Sequence, residues 1–483
     1  MKKAYSLIII AITLPFVLWG VCGILPTFDD FTYLSSPWQV QIADPGYICP
    51  DAVRRPWDYL LGLLVGFFPV LFPTLNHLLV VLGHTANSLI VYALCRRLHM
   101  NQLATNIATL FFFFSPATLG VTLDCDSFNQ TYAQLWGLLA LWTYLSKRSW
   151  LWVFCVVMAT LSKENGLAWA VVPPIIAYGF GLTDRRSAMR HVGTGLLIAL
   201  AYFVVYFAIY QSGILGLDYP DEYSETTWRT HLKDFIQLMA YTWVPIDYMS
   251  VVYPPTRNWT VAVVTALFSL PFLLLLLSKW QILKTPRLLT LVACFFILMS
   301  PHLVTLVSIM HNYAALSMAA LIVACLLTPC SSQATPDGLP TTGSKPRPLL
   351  YSSLFLLYLA ACLFTDLHHY QAARQSGLLG RQLAMQAIHQ ADKPLERAMC
   401  ISIDDATEPC YSTFCVRPAD AFAWGLSVRH YTNYTWKTAI SEIHLPTYYQ
   451  QQVEALADSA LRSGNEAVWI VGHRKDSLTI ITK

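Results

Sequence analysis

LNHLLVVLGHTANSLIVYAL, residues 75–94, decides the fold. The stretch holds no Asp, Glu, Lys or Arg, and as a helix rising ~1.5 Å per residue it spans the ~30 Å of hydrocarbon in a bilayer. Its polar residues, Asn76, His77, His84 and Asn87, are spaced so that 77 and 84 stand two turns apart and 84 and 87 one turn. They share a face that turns toward other helices, either to hydrogen-bond across the bundle or to line a cavity.

Working outward, comparable apolar stretches recur near residues 5–24, 102–116, 129–146, 149–162, 166–182, 192–210, 259–277, 288–301, 312–328 and 349–366, which with 75–94 makes eleven spans. Residues 58–73 are apolar too, but Pro69 and Pro73 interrupt them, and an interfacial helix is expected there. Of the 483 residues only 12% are charged, against about a quarter in soluble globular chains, while 55% are hydrophobic and the mean hydropathy is +0.47. That composition excludes a soluble multidomain enzyme, a disordered scaffold and a secreted disulfide mini-domain. A net charge of +3 indicates no nucleic-acid partner.

Charge is unevenly placed. Residues 371–483 carry 22 of the 59 charged residues, 19% of that stretch against 10% of residues 1–370. The expected fold is therefore an all-α polytopic membrane body of about 11 transmembrane helices over 1–370, with an outward loop at 25–74, followed by a small soluble α/β domain over 371–483. In that tail, 371–391 and the amphipathic stretch 447–463 read as helices, and AMCISID (398–404) and AVWIVG (467–472) as strands. Residues 329–348, rich in Ser, Thr, Pro and Gly, read as a flexible connector.

Basic residues in short loops stay cytoplasmic. With the N-terminus inside, the inner loops hold fourteen basic residues and two acids, and the outer loops six basic residues and fourteen acids. The first span follows Met1, Lys2 and Lys3 with no small-residue cleavage site, so it reads as a retained signal anchor. An odd number of crossings exports the tail, and the expected setting is a bacterial inner (plasma) membrane with a periplasmic or other extracytoplasmic C-terminal domain. The 12 cysteines contain no CxxC. Six lie in or beside apolar segments, and Cys410 with Cys415 can close a short disulfide in an oxidising compartment, with Cys400 left over.

Four clusters of outward charge carry the candidate chemistry. Asp29 and Asp30 follow the first span among Phe28, Phe31 and Tyr33, a setting for a raised carboxylate pKa or cation binding, or else a capping turn. Arg54 and Arg55 lie on the side poor in basic residues and suit an anion such as phosphate, or an internal salt bridge to Asp51 or Asp58. Asp124 and Asp126 form a D-x-D that can hold a divalent cation with a sugar phosphate, or a solvated loop. Lys163 and Glu164 sit in a short turn, SKEN, between two spans, where ions are expensive. His302, His311, Asn312 and Tyr313 frame the last outer loop of the body.

FDDFTYL after the first span, RRPWDYL about 25 residues on, LNHLLVVLGHTANSLIVYAL, and LSKENGLAWAVVPP after the fifth span form an ordered set over residues 1–180. That set resembles the GT-C superfamily of membrane glycosyltransferases, in the branch of the protein O-mannosyltransferases, the TMTC-type transferases and the lipid A aminoarabinose transferase. The resemblance implies a polyprenyl-phosphate sugar donor held with its lipid in the membrane, and transfer to a hydroxyl on a glycan, lipid or protein acceptor by a single inverting displacement. Asp29 would be the base and Asp30 would orient sugar or acceptor. Arg54, Arg55, Lys163 and His311 would face the donor phosphate, and Asp124, Asp126, Glu164, His84, Tyr313 and His302 the cavity that receives sugar or acceptor. The chain departs from the family in the last outer loop, where His311, Asn312 and Tyr313 stand in place of an Arg before a Tyr. No cofactor is assigned, and a divalent cation, if used, would fall to Asp124 and Asp126. The rivals are a transporter or flippase for a lipid-linked sugar, and a polysaccharide polymerase or ligase.

The charge count sets a topology. A reporter fused after Lys483 should be active only on the exported side, and one inserted near Ser344 only in the cytoplasm; cytoplasmic activity at Lys483 would put the span count off by one.

Overall fold

The computed structural model describes residues 4–25, 55–211, 227–247, 251, 258–279, 285–303, 309–328, 348–390, 395–403, 418–430, 439–446, 449–474 and 477–482. Asp29, Asp30, Arg54, the 329–347 connector and the Cys410–Cys415 pair lie outside them. The body is built of α1 (Tyr5–Val21), α2 (Pro56–Phe67), α3 (Thr74–Arg97), α4 (Gln102–Phe113), α5 (Phe128–Leu145), α6 (Ser149–Ser162), α7 (Val172–Gly179), α8 (Arg185–Gln211), α9 (Trp228–Trp243), α10 (Trp259–Leu277), α11 (Pro286–Met299), α12 (Tyr313–Leu327) and α13 (Pro348–Gln390). Helix therefore occupies each of the eleven apolar stretches, and α2 the interfacial one. By length and composition six described helices can cross a membrane, or seven if the pair Gln102–Phe113 and Pro116–Thr122, bent by 45°, is one span. Of the remaining stretches, α5 has 18 residues but carries Asn129, Gln130 and Gln134, and the others are shorter. α1 and α6 have 17 and 14 residues, and 166–182 is divided between a 3-10 turn over Glu164–Ala170 and α7, which starts on Pro173 and Pro174.

α12 is the axis of the body. Every residue of Tyr313–Leu327 is buried, which a helix apolar all round achieves only inside a bundle. It packs against α3, α4, α5, α10 and α11. The two ends of the bundle differ in charge. At one end Arg97 donates to the Leu145 carbonyl at 2.9 Å, Asn101 donates to that of Leu327 at 3.0 Å, Lys279 sits over Tyr351 and Arg287 over Phe180. At the other end lie Arg55, Asp58, Asp126, Lys163, Glu164, His302 and His311.

The expected boundary at residue 370 falls inside a helix. α13 runs unbroken for 43 residues, about 65 Å, so it crosses the membrane and continues past it; the helix expected at 371–391 is its second half. The tail then adds β1 (Arg397–Ile403), α14 (Pro418–His430), β2 (Ala439–Leu445), α15 (Gln450–Arg462), β3 (Ala467–Arg474) and β4 (Ser477–Thr482). Strand order is β2-β1-β3-β4, with β1 parallel to β2 and β3, and β4 antiparallel to β3. Alternation along the strands divides the sheet into two faces. Ala398, Cys400, Trp469 and Val471 share one apolar core with Phe422 of α14, while Ile401, Ile403, Val468 and Ile470 share another with Val453 and Ala457 of α15.

Candidate functional site

The site is assembled by the way two helices stop and start. α6 ends at Ser162, and Lys163 takes an extended backbone, φ −157° and ψ 145°, before the chain tightens into the 3-10 turn at Glu164. Gly166 lets this turn press onto α6, because a Cβ there would lie 2.2 Å from the Ala159 carbonyl oxygen. Opposite, α2 begins at Pro56, whose fixed φ suits a first helical position, with Arg55 as the flanking residue.

These two devices meet through a fork. Arg55 Nη2 donates to Glu164 Oε2 at 2.9 Å, and Nε approaches Oε1 and Oε2 at 3.1 and 3.2 Å, with the two side chains 25% and 30% exposed. The partner of Arg55 is thus a residue 109 positions away, where the sequence offered Asp51 or Asp58. Asp58, one turn into α2, accepts from Asn129 Nδ2 at 2.8 Å. Asp126 accepts from its neighbour Ser127 at 3.2 Å. On the other flank Asn165 donates to Gln130 Oε1 at 3.3 Å and contacts His302 Nε2 at 3.0 Å, and the His302 and His311 rings stack with centroids 4.6 Å apart.

The cluster is ionic in partly dry surroundings. Burial pushes the Asp58 carboxyl up to about 6, and Asp126 adds to this while Arg55, the Asn129 hydrogen bond and Lys163 pull against it. Asp126 is raised as well, by burial first, against Lys163, Ser127 and Arg55. Burial, helped by the Arg55 charge, brings Lys163 down to about 8 despite Glu164, Asp126 and Asp58. Each group here moves toward its neutral form because water is scarce, and each is drawn back by its neighbours.

The sequence-derived candidates therefore separate. Arg55, Asp126, Lys163, Glu164, His302 and His311 come together. Asp124 is buried in the loop that carries Asp126, and among the described residues no group of three or more His, Cys, Asp or Glu is placed to hold a metal ion. His84 and Tyr313 belong to an interhelical network instead: His84 Nδ1 and Tyr313 Oη are 2.9 Å apart, His84 Nε2 lies 3.1 Å from the Phe113 carbonyl, and Asn87 donates to Tyr313 Oη at 3.0 Å and to the Thr131 carbonyl at 3.0 Å. Two residues not anticipated as members are Asn129 and Gln130, neutral amides that bond Asp58 and Asn165. A further buried group was also unanticipated. The carboxylate of Asp247 bonds His368 Nδ1 and lies 3.7 Å from His369 Nε2, tying the 244–247 segment to α13.

No protein-family model matches the sequence, and no curated protein matches it. Two solved structures of ArnT from Cupriavidus metallidurans are similar to the chain, each at a TM-score of 0.49 and 11% identity. One is in the apo state, with 97% of this chain and 92% of that chain covered; the other is bound to undecaprenyl phosphate, with 99% and 98% covered.

The network around Tyr313 generates a prediction. Tyr313→Phe removes the shared hydroxyl of His84 and Asn87 and should lower stability by roughly 1 kcal/mol, read as a lower thermal midpoint. An unchanged midpoint would show that these two bonds do not hold the helices in register.

Proposed function

We propose that the protein transfers a sugar from a polyprenyl-phosphate donor to a hydroxyl acceptor at the end of the bundle where Arg55 and Lys163 sit. The observation that carries this reading is the Arg55–Glu164 fork with Lys163 beside it. Two cations are gathered at one end of an apolar bundle, next to carboxylates and to α2, whose Leu60, Leu64 and Phe67 are exposed. A phosphate carried on an apolar chain matches both features: its tail lies with the exposed apolar side chains in lipid, and its head meets the cations.

The chemistry follows from where charge grows. As the bond from the anomeric carbon to the phosphate oxygen breaks, the departing phosphate gains negative charge, and Arg55 and Lys163 stabilise it where partial burial weakens screening by water. Glu164 fixes the plane of the guanidinium and so presets its direction. A hydroxyl is a poor nucleophile at neutral pH, so a carboxylate must take its proton as the new bond forms. We assign that role to Asp29, with Asp30 orienting sugar or acceptor, on the resemblance of FDDFTYL to the GT-C pattern. Attack from the side opposite the phosphate inverts the anomeric centre. The membrane setting, with acid-bearing loops away from the cytoplasm by the charge rule, makes the exported face the site of transfer. Transport would call for charge at the bilayer midplane on broken helices, and the ions of this site gather at one end.

Single-turnover transfer alongside donor binding tests the assignment. Arg55→Ala should lower transfer on the order of 10² to 10³-fold, and Arg55→Lys should restore only part, because an ammonium cannot reproduce the planar fork. Asp29→Asn should lose transfer, on the order of 10² to 10⁴-fold, while still binding donor. Wild-type turnover in a folded Arg55→Ala protein would sink the phosphate assignment.

Lys163 gives the reading a pH signature. Its ammonium is the form that attracts phosphate, and it is lost as pH rises through about 8. Donor affinity should fall as pH rises through about 8, and Lys163→Arg, charged throughout, should remove that fall. A wild-type affinity that stays level to about pH 9.5, or an identical fall in Lys163→Arg, would show that Lys163 does not meet the phosphate.

A further inference from the structure

We infer that the C-terminal domain is a positioning element of the ionic site, holding the Arg55 helix and the Asp124–Asp126 loop together in one apolar core. The sequence offers the tail no catalytic pattern, yet its sheet does not hang free of the body. Leu61 and Val65 of α2 and Cys125, the residue between the two aspartates, are buried in the same core as Cys400 of β1, Phe422 of α14 and Trp469 of β3. Phe422 stacks on Trp469 with ring centroids 4.4 Å apart. α14 also packs against the 3-10 turn Pro69–Leu71 that follows α2, and against the extended half of α13. Gly425 makes the second approach close, since a Cβ there would sit 2.3 Å from the Ala384 carbonyl oxygen.

The consequence is mechanical. On its polar side α2 is fastened to the body by Arg55–Glu164 and Asp58–Asn129. On its apolar side it is fastened to the tail. Arg55 and Asp58 stand six and three residues ahead of Leu61, the first buried leucine of that core, so a shift of the core shifts both side chains. The loop is held in the same way: Cys125 is 0% exposed, and the residues on either side of it carry the two carboxylates. Interiors pack too densely to slide without opening. The geometry of the ionic site is therefore coupled to a core whose greater part comes from the C-terminal domain. The opposite sheet face, with Val453 and α15, belongs to a separate core.

This inference rests on the transferase reading only for its activity readout. In the full-length protein, Leu61→Ala and Phe422→Ala should each open the shared core. Alkylation of Cys125, located by peptide mass spectrometry, should speed up about tenfold or more. Donor KM should rise several-fold more than kcat falls, and the Arg55–Glu164 coupling, from a double-mutant cycle on thermal midpoints, should shrink. Val453→Ala, in the other core, should leave all three as in wild type. Leu61→Ala retains the tail intact should Phe422→Ala fail to fold. Unchanged Cys125 reactivity, or a reactive Cys125 with unchanged coupling, would overturn the positioning role, as would a Val453→Ala protein that loses coupling equally. If wild type transfers nothing from polyprenyl-phosphate sugars, the transferase reading fails, and Cys125 reactivity with the coupling cycle still decides the positioning role.

Discussion

A guanidinium persists at the end of an apolar helix bundle only where its charge is answered, and Arg55 is answered by Glu164 from 109 residues away. Breaking a partly buried pair of this kind leaves one charge with less water than it has in solution and without its bidentate partner, which costs more than an exposed surface pair would. The pair therefore constrains everything around it. α6 has to end where Glu164 can turn inward, Gly166 has to let that turn approach, and α2 has to start with its N-terminus against the same spot. The amides of Asn129 and Asn165 complete the arrangement by bonding to Asp58, Gln130 and His302 without adding charge.

The two ends of the molecule solve different problems with the same residue types. At the end rich in Lys and Arg, side chains such as Arg97 and Asn101 bond the last carbonyls of neighbouring helices, groups no intrahelical amide can satisfy. At the other end, cations and carboxylates face one another, and the amides bond side chains. The first arrangement closes helix ends. The second leaves a set of ionisable groups whose protonation depends on one another. Between them, the His84–Tyr313–Asn87 network and the wholly buried α12 fix helix positions.

Much of this was legible in the sequence, for physical reasons that also explain the gaps. A run of about twenty apolar residues has few alternatives to a helix in a bilayer, so the helices of the apolar stretches, α2 among them, could be read directly. Arg55, Lys163 and Glu164 stood out because ions at a membrane boundary are expensive. Asn129 and Gln130 carry no such signal, since an amide becomes informative only through a partner, here 71 and 35 residues distant. α9 was missed because its Arg229, His231, Lys233 and Asp234 mask the apolar face that includes Leu238. α14 was missed because PADAFAWGLSVRH has no clear helical period. Composition changes at residue 370 while the backbone of α13 runs on through it, so the continuity of that helix was not legible.

The electrostatics of the site link its occupancy to protons. Arg55 and Lys163 face Asp58, Asp126 and Glu164, so the cluster as it stands lies near charge balance with a slight negative excess. On the transferase reading a phosphate adds further negative charge, and an added anion raises the pKa of every neighbouring group. Lys163, at about 8, is then held more firmly as an ammonium, and Asp58, at about 6, is moved toward neutral pH. Binding and proton uptake are two sides of one equilibrium. A site whose lysine and aspartate titrate on either side of neutrality can relieve the charge of an arriving phosphate by taking up protons, and can release them as the phosphate departs. That capacity comes from partial burial, which moved both groups toward neutrality in the first place.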